Sequence, residues 1–128
     1  MIAELRAAAE ALNRGDSAPF AALMADESEW RGPAHGQLWW KQTPACHGPE
    51  EARAALEAGL ARRGGRPLEV HPELKQVGDD RIIAMTSWLA ADGSRQQRFQ
   101  VLTIGGGKIV DLQGCATLRE AERFARRR

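Results

Sequence analysis

This chain has no tyrosine, only two cysteines, Cys46 and Cys115, and lysine at three positions alone, Lys41, Lys75 and Lys108. Two thiols are too few for a disulfide scaffold in a chain that can build its own core, so both are expected reduced, as small buried hydrophobes. No apolar run approaches the roughly 18 residues that a bilayer span requires, and no basic start leads into a short apolar stretch of the signal-peptide kind. A cytoplasmic protein with no membrane partner is the expectation. Neither sign of charge dominates: 18 Lys plus Arg against 17 Asp plus Glu leave a formal net charge of +1. That lacks the basic footprint of a nucleic-acid binder, and Arg126, Arg127 and Arg128 are read as charges that complement the end of a last helix. No metal and no other cofactor is expected. The bias to arginine over lysine, with abundant alanine, points to a GC-rich bacterial genome and is silent on activity.

What is present fits one domain spanning 1–128, of 43% hydrophobic and 27% charged residues. Ile2, Leu5, Ala8 or Ala9 and Leu12 recur at helical spacing, and Asn13-Arg14-Gly15 ends that helix. Asp16 or Ser17 caps a short second helix with Pro19 in its first turn. A short strand around Trp30 stops at Gly32-Pro33, and the chain from there to Gly48 reads as irregular. Gly48-Pro49-Glu50-Glu51 starts a third helix, since proline fits the first position and the acids sit where the helix dipole is positive. Its stripe is Ala52, Leu56, Gly59 and Leu60. Pro67 to Val77 reads as an interrupted or edge strand around Pro72, and Thr117-Leu118-Arg119-Glu120 is a capping box that opens a short C-terminal helix.

The segment from Arg81 to Cys115 carries the most information. Three apolar-rich runs are joined by Asp92-Gly93 and by Gly105-Gly106-Gly107, an antiparallel sheet arriving after three helices. Taking Asp92-Gly93 as a two-residue turn pairs Ala91 with Ser94 and Met85 with Gln100, and a three-residue glycine loop pairs Gln100 with Leu112. Side chains then sort into two faces. One holds Ile83, Met85, Ser87, Arg98, Gln100, Leu102, Ile104, Val110 and Leu112; the other holds Ile82, Ala84, Trp88, Phe99, Val101 and Ile109. Both are apolar at their centres. With no helix to spare for the second, a homodimer through Trp88, Phe99 and Val101 is expected.

Helices packed into a curved antiparallel sheet, with Trp30-Arg31-Gly32-Pro33, His47-Gly48-Pro49-Glu50-Glu51-Ala52 and a late Gly107-Lys108-Ile109-Val110 hairpin, resemble the NTF2-like superfamily and its SnoaL-like members across nearly the whole chain. The resemblance implies an α+β cone: three N-terminal helices on a curved antiparallel sheet, a short C-terminal helix and a pocket. Members include ketosteroid isomerase, polyketide cyclases, epoxide hydrolases, dehydratases and non-catalytic association domains, so fold leaves function open. By register the isomerase-like oxyanion acid would fall at Gln100 and its general base near Gly32, and the acid of limonene epoxide hydrolases near Gly114. None of the three is a carboxylate.

On this reading the cavity-facing set is Gln100, Trp30, Trp39, Met85, Ser87, Arg98, Leu102 and Leu112, and the ligand is a small, mostly apolar molecule. Gln100 is polar in an aliphatic face and needs a partner, because an unpaired buried amide costs about 1 to 3 kcal/mol. It either bonds Trp30 or backbone, or it orients a ligand. His47 either marks the start of the third helix or faces the pocket mouth as a general base. A dyad with Cys46 is not expected, because neighbours in an extended segment point apart. Trp30, Trp39 and Trp40 wall a cavity or pack in a core or interface. Two functions follow: a pocket protein, with an isomerase, lyase or cyclase step if catalytic, or a non-catalytic association or sensing domain.

Overall fold

The computed structural model describes residues 1–33, 44–64, 68–90 and 92–127. Along the chain run α1 (Ile2–Asn13), α2 (Ala18–Ala22), β1 (Met24–Arg31), β2 (Cys46–His47), α3 (Gly48–Ala61), β3 (His71–Val77), β4 (Arg81–Leu89), β5 (Arg95–Gly105), β6 (Lys108–Cys115) and α4 (Leu118–Ala125). The six strands form one open sheet in the order β2-β1-β6-β5-β4-β3. Every pairing is antiparallel except β1 with β6. The α+β cone is therefore present, with one element the sequence reading treats as irregular: the two-residue β2 pairs Glu29 with His47 and Trp30 with Cys46. Trp39, with His35 and Trp40, lies outside the described residues.

Local chemistry explains the boundaries. Asp16 accepts the amide of Ala18 at 3.0 Å, and Thr117 Oγ1 accepts that of Glu120 at 3.1 Å, the forward half of the expected capping box. The Asn13 side chain grips Val70 twice, donating to its carbonyl at 3.1 Å and accepting its amide at 2.6 Å, which ties the end of α1 to the approach to β3. β3 is an edge strand, where Pro72 lacks no ladder partner that a central strand would require.

The two late hairpins depart from the expected register. Leu89 faces Arg95 and Ala84 faces Gln100, one residue away from the pairing that a two-residue Asp92-Gly93 turn would give. The loop closes one residue earlier, with Ala90 N–H donating to Ser94 O at 2.8 Å and Asp92 Oδ1 accepting Ser94 N–H at 2.9 Å. A slip of one turns every β4 side chain to the other face. Met85, Ser87 and Ile83 thus leave the cavity side, and Ile82, Ala84, Thr86 and Trp88 take their places. The glycine hairpin is tighter than expected: Gly105 faces Lys108 across Gly106 and Gly107, both at positive φ (59° and 76°). Gln100 then faces Gly114 and Leu102 faces Leu112. This shift is by two, so those side chains keep their face, but the irregularity between Thr103 and Ile104 moves Ile109 into the inner core.

Two cores result, one on each side of the sheet. The inner one joins Leu5, Met24, Ala52, Ile82, Ala84, Leu102, Ile109 and Leu112. The outer one joins Ile83, Val101 and Cys115 to Ala121 and Ala125 of α4, with Met85, Phe99, Leu118 and Phe124 packed around them. The small residues of α4 let it lie close to the strands, and Arg81 fixes its end by donating to Phe124 O at 2.9 Å. The premise that the second face lacks a helix is thereby corrected: α4 covers Ile83 and Val101, and Trp88 is not on that face at all.

Candidate functional site

Between the sheet and the helices lies a cavity of about 570 Å³, within the range typical of small-molecule sites. Leu5, Ala9 and Leu12 of α1 and Phe20 of α2 form one wall. Trp30, Leu112, Leu102, Gln100, Ala84 and Leu74 form the sheet floor. Leu56, Gly59 and Leu60 of α3 close the roof. They are the stripe expected from helical periodicity, but only Gly48 and Ala52 of α3 are fully buried. The roof residues are half-covered because they face space, not side chains. Trp30 is held by a tilted contact with Phe20, ring centroids 6.1 Å apart.

Of the residues singled out from sequence, the structure brings Gln100, Trp30, Arg98, Leu102 and Leu112 into this wall. Met85 and Ser87 stand on the opposite side of the sheet, Met85 against the α4 core and Ser87 beside Arg95, whose Nη2 donates to its hydroxyl at 3.2 Å. The cause is the one-residue slip at the Asp92-Gly93 hairpin. His47 is exposed and precedes α3, its backbone N–H donating to Glu51 Oε1 at 3.1 Å. Its side chain is not part of the wall, which removes the base assignment; Cys46, its neighbour, points inward instead. Burial raises the Cys46 thiol above its ordinary pKa, and the charge of Glu51 adds to the effect, so it is a poor nucleophile.

Gln100 is half-buried, and no described protein group hydrogen-bonds its amide. Its cross-strand partner, Gly114, is bare for a steric reason: a Cβ there would lie 2.9 Å from both Gly32 C and Pro33 N. The chain leaving β1 crosses over β6 at this point. Gln113, fully buried, holds that crossing by donating to Gly32 O at 3.2 Å, and accepts Arg31 Nε at 2.9 Å. Arg31 also binds Glu29 at 2.6 Å and, more closely still, Asp111. This cluster lies on the outer face, since Glu29, Arg31, Asp111 and Gln113 are register partners of one another across the β1/β6 pair. Burial outweighs Arg31 at Asp111 and leaves its carboxyl above the ordinary value. The sequence reading missed the cluster. Its trace is the matched i, i+2 polar spacing in Glu29-Trp30-Arg31 and Asp111-Leu112-Gln113.

Three further wall residues also escaped it: Trp88, Arg62 and Arg63. Arg98 stacks on Trp88, its guanidinium carbon 4.9 Å from the ring centre. Arg63 is buried and donates to Leu89 O, binding the end of α3 to the end of β4. Among the described residues no three His, Cys, Asp or Glu side chains come together as a metal site would require, and no helix is long and apolar enough to cross a membrane.

An open sheet wrapped by helices around a cavity defines the NTF2-like class of cone. Within it the chain belongs to the SnoaL-like domain family, whose pattern matches residues 5–112. A protein from a soil-derived mobile gene cassette superposes with a TM-score of 0.69 at 20% identity, over 98% of this chain and 95% of that one. A ketosteroid isomerase from Mycobacterium sp. superposes with a TM-score of 0.64 at 19% identity, over 93% and 94%. An LEH-like epoxide hydrolase from Mycobacterium tuberculosis gives 0.60 at 16% identity, over 95% and 86%. Such low identities establish the fold alone. No curated protein matches the chain.

Proposed function

We propose that this chain binds a small, mostly apolar molecule in the cavity and orients it through the amide of Gln100. The observation that carries the reading is a space of about 570 Å³ walled by aliphatic and aromatic side chains, with one neutral amide on its floor that no described protein group satisfies. Binding is favoured over catalysis. An isomerase, lyase or cyclase step needs a group that exchanges a proton near neutral pH, and among the described wall residues none is a carboxylate or an imidazole.

A thermal-shift screen with steroids, terpenoids and aromatic polyketides tests this on the wild type and on Gln100→Leu. The expected result is that at least one class raises the wild-type Tm and raises that of the variant less. A screen in which no class stabilises the wild type sinks the reading. A second copy of the chain belongs to the proposal only at the end of the outer face that α4 leaves half-covered, around Met85 and Phe99. Light scattering that gives a monomer at micromolar concentration removes it.

A further inference from the structure

We propose that the ligand of this cavity is an amphiphile, an apolar body carrying one anionic head group of the carboxylate class, whose head lies against Arg98 at the Trp88 end of the cavity; this rests on the pocket reading above. The described wall holds three cations, Arg62, Arg63 and Arg98, and no anion. Two of them have another task. Arg62 and Arg63 follow the last turn of α3, where positive charge complements the helix dipole, and Arg63 ties that turn to Leu89 O.

Arg98 has no such explanation. It stands on β5 opposite Thr86, away from any helix end, with the Trp88 ring beneath it. Among the described residues it has no carboxylate partner, whereas other exposed arginines do: Arg95 faces Glu69 at 3.8 Å and Arg53 holds Glu57 at 2.9 Å. Stacking on an indole keeps the guanidinium plane in place and leaves its N–H donors for a planar anion. The rest of the wall, from Trp88 to Leu5 and Phe20, offers Thr86 and Gln100 as its polar side chains on the sheet and otherwise apolar surface. A molecule charged at one end and greasy along its length matches that polarity.

The test compares decanoate with 1-decanol, which share a chain and differ in head-group charge, by quenching or shift of the intrinsic tryptophan fluorescence at pH 8 and low salt. Decanoate is expected to bind about fivefold more tightly, the scale of one ion pair on an exposed arginine. The ratio should shrink as salt is raised to about 1 M, where screening acts within about 3 Å. In Arg98→Gln the ratio should fall towards one, while Arg119→Gln, on the helix across the sheet, should keep it. Equal affinities for the two probes in the wild type overturn this inference and leave the pocket reading standing. A preference for decanoate that Arg98→Gln does not reduce also overturns it, and binding of neither probe, with a silent ligand screen, overturns both.

Discussion

Replacing Gly114 with alanine probes a close backbone crossing. The added methyl would sit 2.9 Å from Gly32 C and from Pro33 N, and 3.1 Å from Arg31 O. All three are main-chain atoms, so no flexible side chain can swing aside. Either the β1 exit lifts off β6 or β6 itself bends. Lifting the exit strains the hydrogen bond from Gln113 to Gly32 O and, through Gln113, the contact with Arg31 Nε. Overpacking of this kind costs about 3 kcal/mol, the upper part of the usual range, because a buried polar network is displaced with it. For a chain of this length that corresponds to a fall in Tm of about 12 °C. Urea unfolding followed by far-ultraviolet circular dichroism should show a lower midpoint with an unchanged slope. Gly32→Ala is the control, since its Cβ would meet nothing within 4 Å, and it should stay within about 1 kcal/mol of wild type. A loss below about 1 kcal/mol for Gly114→Ala would show that the crossing yields freely and that the bareness of Gly114 has no steric cause.

Gln100→Leu should raise stability by about 1 kcal/mol in the empty protein, because it removes an amide that no described group satisfies from an apolar floor; a lower Tm than wild type would refute this. The Cys115 thiol, pushed up to about 12 by burial with a contribution from Glu120, should resist alkylation at pH 8 in the native protein and react readily in urea. Mass spectrometry reads the difference, and rapid native modification would contradict the packing of α4. At Asp111 the folded pKa stands above the unfolded 3.8, so the charged form is disfavoured by folding above the folded pKa and that penalty is relieved as pH falls through it towards 3.8. The contribution of this group therefore rises as pH falls, opposite to the usual carboxylate. Asp111→Asn should remove that component from a stability profile between pH 3 and 7, and an unchanged profile would refute it.

The helices and strands were legible because their signals are local. Pro49 after Gly48, the Thr117 cap and the periodicity of α1 need no tertiary information. Register was not local. Asp-Gly between apolar runs is the strongest short signal for a two-residue hairpin, yet the Asp92 side chain bonds Ser94 and the loop closes between Ala90 and Ser94. One residue of difference exchanged Met85 and Ser87 for Ala84, Thr86 and Trp88 as wall residues. The α4 packing was also hidden. Ala121 and Ala125 are too small to announce a buried face, though their four-residue spacing marks one.

The three positions at which relatives of this fold would carry acids by register turn out to be neighbours in space. Gln100 pairs with Gly114, and Gly32 crosses where the side chain of Gly114 would be. Their chemistry is therefore coupled. While Gly32 and Pro33 keep their course, no carboxylate can be placed at Gly114, and Gln100 is left facing a floor with no described charge of its own. The described floor fits an uncharged apolar body. Arg98, stacked on Trp88, has no carboxylate partner among the described residues, and the ligand proposed above would supply one. The crossing that keeps Gly114 bare thus also keeps a carboxylate off the strand position that Gln100 faces.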